Sequence, residues 1–182
     1  MDFYEALMEY PIIGAIETST DISDAPCSIF FILGGELSEL ESQIKNIIAL
    51  KKQVYVHMDL IQGIKADEAG LKFVKSLGPH GIITTHSRLI SKAKELDLFA
   101  IQRLFLLDRK NLKSGIKSVK KSKPDAIEVL PGVVYKATKE VMDETNIPII
   151  SGGLMMDKED VIGSLKVGAI GVSTSLKELW TL

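Results

Sequence analysis

The sequence predicts an α/β protein with a single domain, a small TIM-type (β/α)8 barrel with a short or missing first helix. Short apolar segments alternate with amphipathic segments along all 182 residues, and the apolar segments number eight. Most of the eight are almost continuously apolar, which is typical of parallel strands that are buried on both faces. A chain of this length can bury one hydrophobic core and is too short for two α/β domains of usual size. Residues 1–182 are therefore predicted to form one domain.

The eight strands and six of the helices follow from the periodicity of the apolar residues. The predicted strands are Ile12–Glu17, Ser28–Leu33, Val54–Leu60, Gly81–Thr85, Phe99–Leu107, Ala126–Leu130, Ile147–Ser151 and Ala169–Thr174. The predicted helices are Leu37–Leu50, Asp67–Leu77, Arg88–Leu96, Leu112–Lys121, Val134–Glu144 and Lys158–Val167. An open, doubly wound sheet is the alternative architecture, because the usual barrel has about 250 residues.

The start of the chain departs from this repeat. The connection Thr18–Cys27 is short and polar, so the first outer helix is expected to be missing. Met1–Tyr10 has the pattern of an amphipathic helix that ends before Pro11. We expect this helix to close the bottom of the barrel or to replace part of the missing cover.

Composition restricts the cellular compartment that the sequence predicts. No apolar run approaches the roughly 20 residues of a membrane helix, and the first residues lack the regions of a signal peptide. A cytoplasmic protein without a membrane partner is therefore expected. Cys27 is the single cysteine, which excludes an internal disulfide and a thiolate metal site, and it is predicted to be a small buried residue.

Basic residues are concentrated in one helix. Positions 109–123 hold seven basic residues and no acidic one, and without them the chain has 15 basic and 24 acidic residues, a charge of −9. Apolar positions fall on one side of this helix and lysines on the other. The candidate residues for binding a nucleic-acid backbone, RNA or DNA, are Lys110, Lys113, Lys117, Lys120 and Lys121, which we call the lysine stripe. A solvated helix face without a partner is the alternative interpretation.

Two glycine-bearing strand ends predict a phosphate site. Barrels often bind phosphate in the loops after strands seven and eight, where backbone N–H groups and a helix N-terminus face the anion. The candidate phosphate-binding residues are Ser151, Gly152, Gly153, Gly171, Ser173, Thr174 and Ser175. The alternative is that the glycines only turn the chain and Ser175 only caps a helix.

Polar residues near other strand ends are candidates to contact the rest of the ligand. They are Glu17, His57, Asp59, Arg103 and Glu128. His57 and Asp59 are two positions apart, so they would point the same way from a strand. A buried arginine or glutamate needs a counter-charge, and the simplest alternative role is that Arg103 and Glu128 pair with each other across adjacent strands.

An enzyme is the rival interpretation. His57, Asp59 and His86 resemble the metal site of ribulose-phosphate epimerase barrels, which would make the chain a phosphosugar epimerase or isomerase. Those barrels supply another carboxylate just before the paired glycines, and here Ser151 stands in that place. No catalytic residue and no metal ligand are assigned, and a plain metabolite-binding protein is the third alternative.

Four segments resemble the glycerol-3-phosphate-responsive antiterminators. The resemblance extends in order from Pro11 to Trp180, and it is carried by Val56–Gly63, Ile101–Asp108, Lys123–Gly132 and Val172–Trp180. It implies a regulatory barrel that controls glycerol uptake and use, senses glycerol 3-phosphate and acts on leader mRNA to let transcription pass a terminator. The implied effector is glycerol 3-phosphate, with no cofactor, and the sequence leaves a homo-oligomer open.

Overall fold

Eight parallel strands form a closed barrel in the computed structural model, which describes residues 2–182. Strand β1 pairs with β2 on one side and with β9 on the other, so the sheet closes on itself and the open doubly wound alternative is excluded. The barrel strands are β1 (Ile12–Glu17), β2 (Ile29–Glu36), β3 (Gln53–His57), β5 (Gly81–Thr84), β6 (Phe99–Phe105), β7 (Ala126–Leu130), β8 (Ile149–Gly152) and β9 (Gly171–Thr174). A two-residue strand β4 (Ile61–Gln62) pairs with the end of β2.

Helices cover the barrel where the apolar period predicted them. They are α1 (Phe3–Glu9), α2 (Leu37–Ala49), α3 (Glu68–Ser76), α4 (Ser87–Glu95), α5 (Arg109–Ser122), α6 (Tyr135–Thr145) and α7 (Lys158–Lys166). Aspartate side chains accept a backbone N–H at the start of α3, α5 and α7, which fixes those starts. No helix follows β1, as expected, and a short 3-10 helix, Lys177–Thr181, follows β9.

Helix α1 closes the bottom of the barrel. Its buried residues Phe3, Ala6 and Leu7 pack in one apolar cluster with barrel residues such as Ile13 and Tyr55. The helix starts with a capping box in which Asp2 and Glu5 each accept a backbone N–H from the other. The prediction that the N-terminal segment closes the barrel is therefore confirmed for Phe3–Glu9, while Met1 lies outside the described residues.

The structure bears on the predictions for Cys27 and for membrane-spanning helices. Cys27 is fully buried, as predicted, and burial raises the pKa of its thiol to about 12. Within residues 2–182, no helix combines the length and the apolar character that crossing a membrane requires.

We expect Leu7→Ala to lower the free energy of unfolding by about 2–4 kcal/mol, because it opens a cavity in the closed end of the barrel. Urea denaturation measures the change. Met8→Ala is the matched control on the same helix, since Met8 is 79% exposed and its loss should cost less than about 0.5 kcal/mol. Equal effects of the two substitutions would contradict the packing role of α1.

Candidate ligand-binding site

A buried ion pair lies across β6 and β7. Arg103 and Glu128 are register partners on these neighbouring strands, and Arg103 Nε donates to Glu128 Oε2 at 2.7 Å. Their side chains are only 5% and 0% exposed. Arg103 follows Ile101 by two residues and Glu128 follows Ala126 by two, and both of those residues belong to the interior cluster. Because residues two apart on a strand point to the same face, the side chains of Arg103 and Glu128 also point into the barrel.

A third strand completes this network. Ser173 Oγ on β9 donates to Glu128 Oε1 at 2.6 Å, so each carboxylate oxygen has one donor. Gly152 on β8 lies between β7 and β9, and a Cβ there would come within 2.9 Å of Glu128 Oε1 and closer still to Ser173 Oγ. Glycine at position 152 is therefore required for the hydrogen bond between Ser173 and Glu128.

Two buried donors of this layer have no partner within residues 2–182. They are Arg103 Nη2 and His57 Nε2. His57 Nδ1 accepts the backbone N–H of Asp59 at 3.3 Å, which assigns the ring proton to Nε2. The pKa of His57 is lowered to about 4, mainly by burial and secondly by the positive charge of Arg103. The ring is therefore neutral at pH 7. Buried donors without partners are costly, and they are typical of sites that hold a ligand or water.

A cavity of about 240 Å³ opens above the network. The end of β7 and the loops after β8 and β9 form its walls, and Arg103, Glu128 and Ser173 line its floor. Apolar side chains lining the walls, which the sequence did not reveal as site residues, include Leu130, Met155 and Leu176. Trp180 Nε1 donates to the Thr174 carbonyl at 2.8 Å, so the final 3-10 helix holds one wall in place. The volume suits a ligand smaller than the drug-sized molecules of typical pockets.

Most of the predicted phosphate-binding residues lie at this cavity. Gly153, Ser173, Thr174 and Ser175 line it. In the described part of the chain, no hydrogen bond uses the backbone N–H of Ser175, and the same holds for Leu154 beside Gly153. These N–H groups and the Ser175 hydroxyl can donate to an anion. Their role as phosphate ligands stays a prediction.

Two predicted phosphate-binding residues are misplaced. Gly171 is the first residue of β9, where a Cβ would meet Leu7 of α1, so it lies at the closed end of the barrel. Ser151 lies between the inward-facing Ile150 and Gly152, so its side chain points outward, where a Cβ on Gly132 would contact it. Neither residue lines the cavity.

The polar residues that were predicted to contact the rest of the ligand do not all lie together in the structure. His57, Arg103 and Glu128 form the inner layer, whereas Glu17 is exposed at the rim and lines a neighbouring cavity with Lys177. Asp59 follows the end of β3 and accepts Thr84 Oγ1 at 2.6 Å, Thr85 N–H at 2.7 Å and Thr85 Oγ1 at 2.6 Å.

Asp59 is therefore occupied in joining the ends of β3 and β5. Burial alone would raise its pKa, but the hydrogen bonds from Thr84 and Thr85 outweigh burial and lower the pKa. His86, the other residue of the epimerase-like pattern, is exposed at the start of α4. Among residues 2–182, no group of three His, Cys, Asp or Glu side chains is arranged to hold a metal ion.

The lysine stripe lies on the outside of the barrel. Leu112, Ile116 and Val119 of α5 are buried against β6 and β7, and all five lysines of the stripe are exposed. Lys120 pairs with Glu144 of α6 at 2.7 Å. The other four lysines form no ion pair with any described residue, so their charges face solvent.

The fold and the site define a (β/α)8 barrel with a ligand-sized cavity at the C-terminal ends of its last strands. A model of the family described as glycerol-3-phosphate responsive antiterminator matches residues 12–180. The chain belongs to this family and is an antiterminator regulatory protein by membership.

Individual relatives agree with this membership. The chain is 34% identical to the glycerol uptake operon antiterminator regulatory protein of Listeria monocytogenes, whose crystal structure superposes with a TM-score of 0.90 over 94% of this chain and 95% of that one. A glycerol uptake operon antiterminator-related protein of Thermotoga maritima is 30% identical, with a TM-score of 0.86 over 94% and 98%. YgcP of Escherichia coli K12 is 30% identical over the whole chain and 97% of its own length. The YdjI aldolase of Escherichia coli K12, at 12% identity and a TM-score of 0.63, shares the fold alone.

We expect His57 to make the fold sensitive to mild acid. Its folded pKa of about 4 lies below its ordinary 6.5, so between these values the unfolded chain binds a proton that the folded chain does not. The stabilisation is complete above pH 6.5 and is lost as the pH falls towards 4, by on the order of 3 kcal/mol.

Urea denaturation at about pH 7 and about pH 4.5 tests this, with the loss in the original chain compared with that in His57→Gln. The loss should be smaller in the variant. His80, whose pKa burial also lowers, is present in both proteins, so its contribution cancels. His86→Gln is the exposed control, and an equal loss in all three proteins would contradict a buried neutral His57.

Proposed function

We propose that this protein binds glycerol 3-phosphate in the cavity above Arg103 and Glu128 and, in response, acts on leader mRNA in the cytoplasm to allow transcription past a terminator. The observation that carries the proposal is the buried network at the floor of a small cavity, in which Arg103 Nη2 has no hydrogen-bond partner among residues 2–182. The family description, glycerol-3-phosphate responsive antiterminator, supports the choice of effector. No catalytic step and no metal are part of the proposal.

The charges of the site orient the ligand. Glu128 at the floor would repel a phosphate, whereas a hydroxyl can donate to a carboxylate oxygen and accept from Arg103 Nη2. The glycerol end therefore points inward. The phosphate end lies against the backbone N–H groups of Leu154 and Ser175 and the Ser175 hydroxyl, at the rim. Asp59 and Glu17 are left out of this contact set because Asp59 has other partners and Glu17 is exposed.

The lysine stripe is the proposed RNA surface. Four of its lysines form no ion pair within residues 2–182, so RNA phosphates would not compete with existing ion pairs at those positions. Counterion release from RNA would then supply binding free energy.

A direct path joins the ligand site to this surface. Strand β6 carries Arg103 and leads through Leu106–Asp108 into α5. Gln102, beside Arg103, donates through Nε2 to Ser118 Oγ of α5 at 2.9 Å. A ligand that shifts β6 would therefore shift the lysine helix, and ligand and RNA binding would be coupled.

Isothermal titration of metal-stripped protein tests the ligand site. We expect binding of glycerol 3-phosphate and no measurable binding of glycerol, which lacks the anion. Gly152→Ala should weaken binding by roughly tenfold or more, because the new methyl group displaces Ser173 and Glu128. Gly34→Ala is the control, since a Cβ there has no neighbour closer than 3.9 Å. Binding only after a divalent cation is restored would overturn the proposal in favour of the epimerase interpretation.

Charge reversal tests the RNA surface. The triple variant Lys113→Glu, Lys117→Glu and Lys121→Glu should bind the leader RNA of the glycerol-uptake genes at least about tenfold more weakly and lower the salt slope by about 2. Lys45→Glu, Lys65→Glu and Lys72→Glu change the charge equally on the side of the barrel that α2 and α3 cover. Unchanged affinity of the first variant, or equal losses in both, would exclude the lysine stripe.

A further inference from the structure

Apolar side chains surround the open end of the barrel. We call this end the mouth face: the C-terminal ends of the barrel strands and the loops that follow them. Of the fourteen large apolar side chains that are exposed within residues 2–182, seven lie on it. They are Leu60, Phe105, Leu107, Val134, Leu154, Met156 and Leu176. A concentration of exposed apolar residues on one face is typical of an interaction surface.

The charges of the mouth face are segregated into two arcs. The connections after β1, β2 and β3, counted with Glu17 and Glu36 at the strand ends, contain six acidic residues and one basic residue. The acidic residues are Glu17, Asp21, Asp24, Glu36, Asp59 and Asp67.

The connections after the other five strands have the opposite charge. Counted up to the second residue of the helix that follows each strand, they contain six basic and four acidic residues. The basic residues are Arg88, Arg109, Lys110, Lys136, Lys158 and Lys177. The acidic residues are Asp108, Asp157, Glu159 and Glu178, so this arc has a net charge of +2, against −5 for the first arc.

We propose that the mouth face binds a second copy of this chain. A two-fold axis in the plane of the face, perpendicular to the line between the arcs, lays the acidic arc of each copy over the basic arc of the other. The apolar residues then form the centre of the interface and the charges its rim, which is the usual arrangement. An RNA strand across this face would meet the acidic arc, so the charge pattern favours the second copy.

This surface is independent of the proposed function, although the two meet at the cavity. Because the cavity opens on the mouth face between the loops after β8 and β9, a dimer formed through this face would cover it. A small ligand would then be enclosed by both copies.

Sedimentation velocity across a series of protein concentrations tests the proposal. We expect a monomer–dimer equilibrium that Leu107→Asp and Leu154→Asp each weaken by roughly tenfold or more, since the two side chains are 76% and 65% exposed. Met8→Asp is the control at the closed end of the barrel, where Met8 is 79% exposed, and it should leave the equilibrium unchanged.

Charge reversal of the two arcs in separate variants tests whether the dimer forms through the mouth face. One variant carries Glu17→Lys, Asp24→Lys and Glu36→Lys, and a second carries Arg88→Glu, Lys136→Glu and Lys158→Glu. In the first variant both arcs are mainly basic, and in the second both are mainly acidic, so two copies of either variant repel each other and should remain monomeric. An equal mixture of the two variants should form a heterodimer.

A protein that stays monomeric throughout would overturn the proposal, as would a dimer that Leu107→Asp does not weaken. A monomer whose RNA affinity falls in the mouth variants would show that RNA binds this face instead.

Discussion

The buried ion pair between Arg103 and Glu128 constrains the whole upper part of the barrel. Removing two charges from water costs several kcal/mol per ion, and a matched apolar pair is often at least as stable. The barrel meets this cost by direct register pairing of the two residues and by the hydrogen bond from Ser173. Gly152 gives these side chains room. Stability alone would not select such a group, and its position beneath a cavity is better explained by ligand recognition.

The sequence predicted the barrel well because its signals are local. Buried parallel strands and amphipathic helices have different periods, so β7 was predicted to the residue and α2 to within one. The pairing of Arg103 with Glu128 was also accessible, since both lie on consecutive strands and a buried charge needs a partner. What the sequence could not supply was the shape of the cavity walls, because Leu130, Met155 and Leu176 look like ordinary core residues.

The misplaced site residues have specific physical causes. Ser151 was grouped with the glycines that follow it, but a strand alternates its faces, so the neighbour of an inward-facing residue points outward. Gly171 was grouped with Ser173 although it begins the strand and lies at the other end. Asp59 was read as a continuation of the strand that carries His57, but β3 ends at His57. The hydrogen bonds that turn Asp59 towards Thr84 and Thr85 are contacts between strands that no local pattern reveals.

The fold does not decide between a regulator and an enzyme, since aldolases of very low identity share it. The electrostatics of the site are more informative. The charges of Arg103 and Glu128 cancel each other, so the floor of the cavity carries almost no net charge. In the proposed binding mode, backbone N–H groups and a hydroxyl at the rim would donate to the phosphate. This mode uses hydrogen bonds to hold a ligand and assigns no residue a proton-transfer step, so the proposed function is sensing.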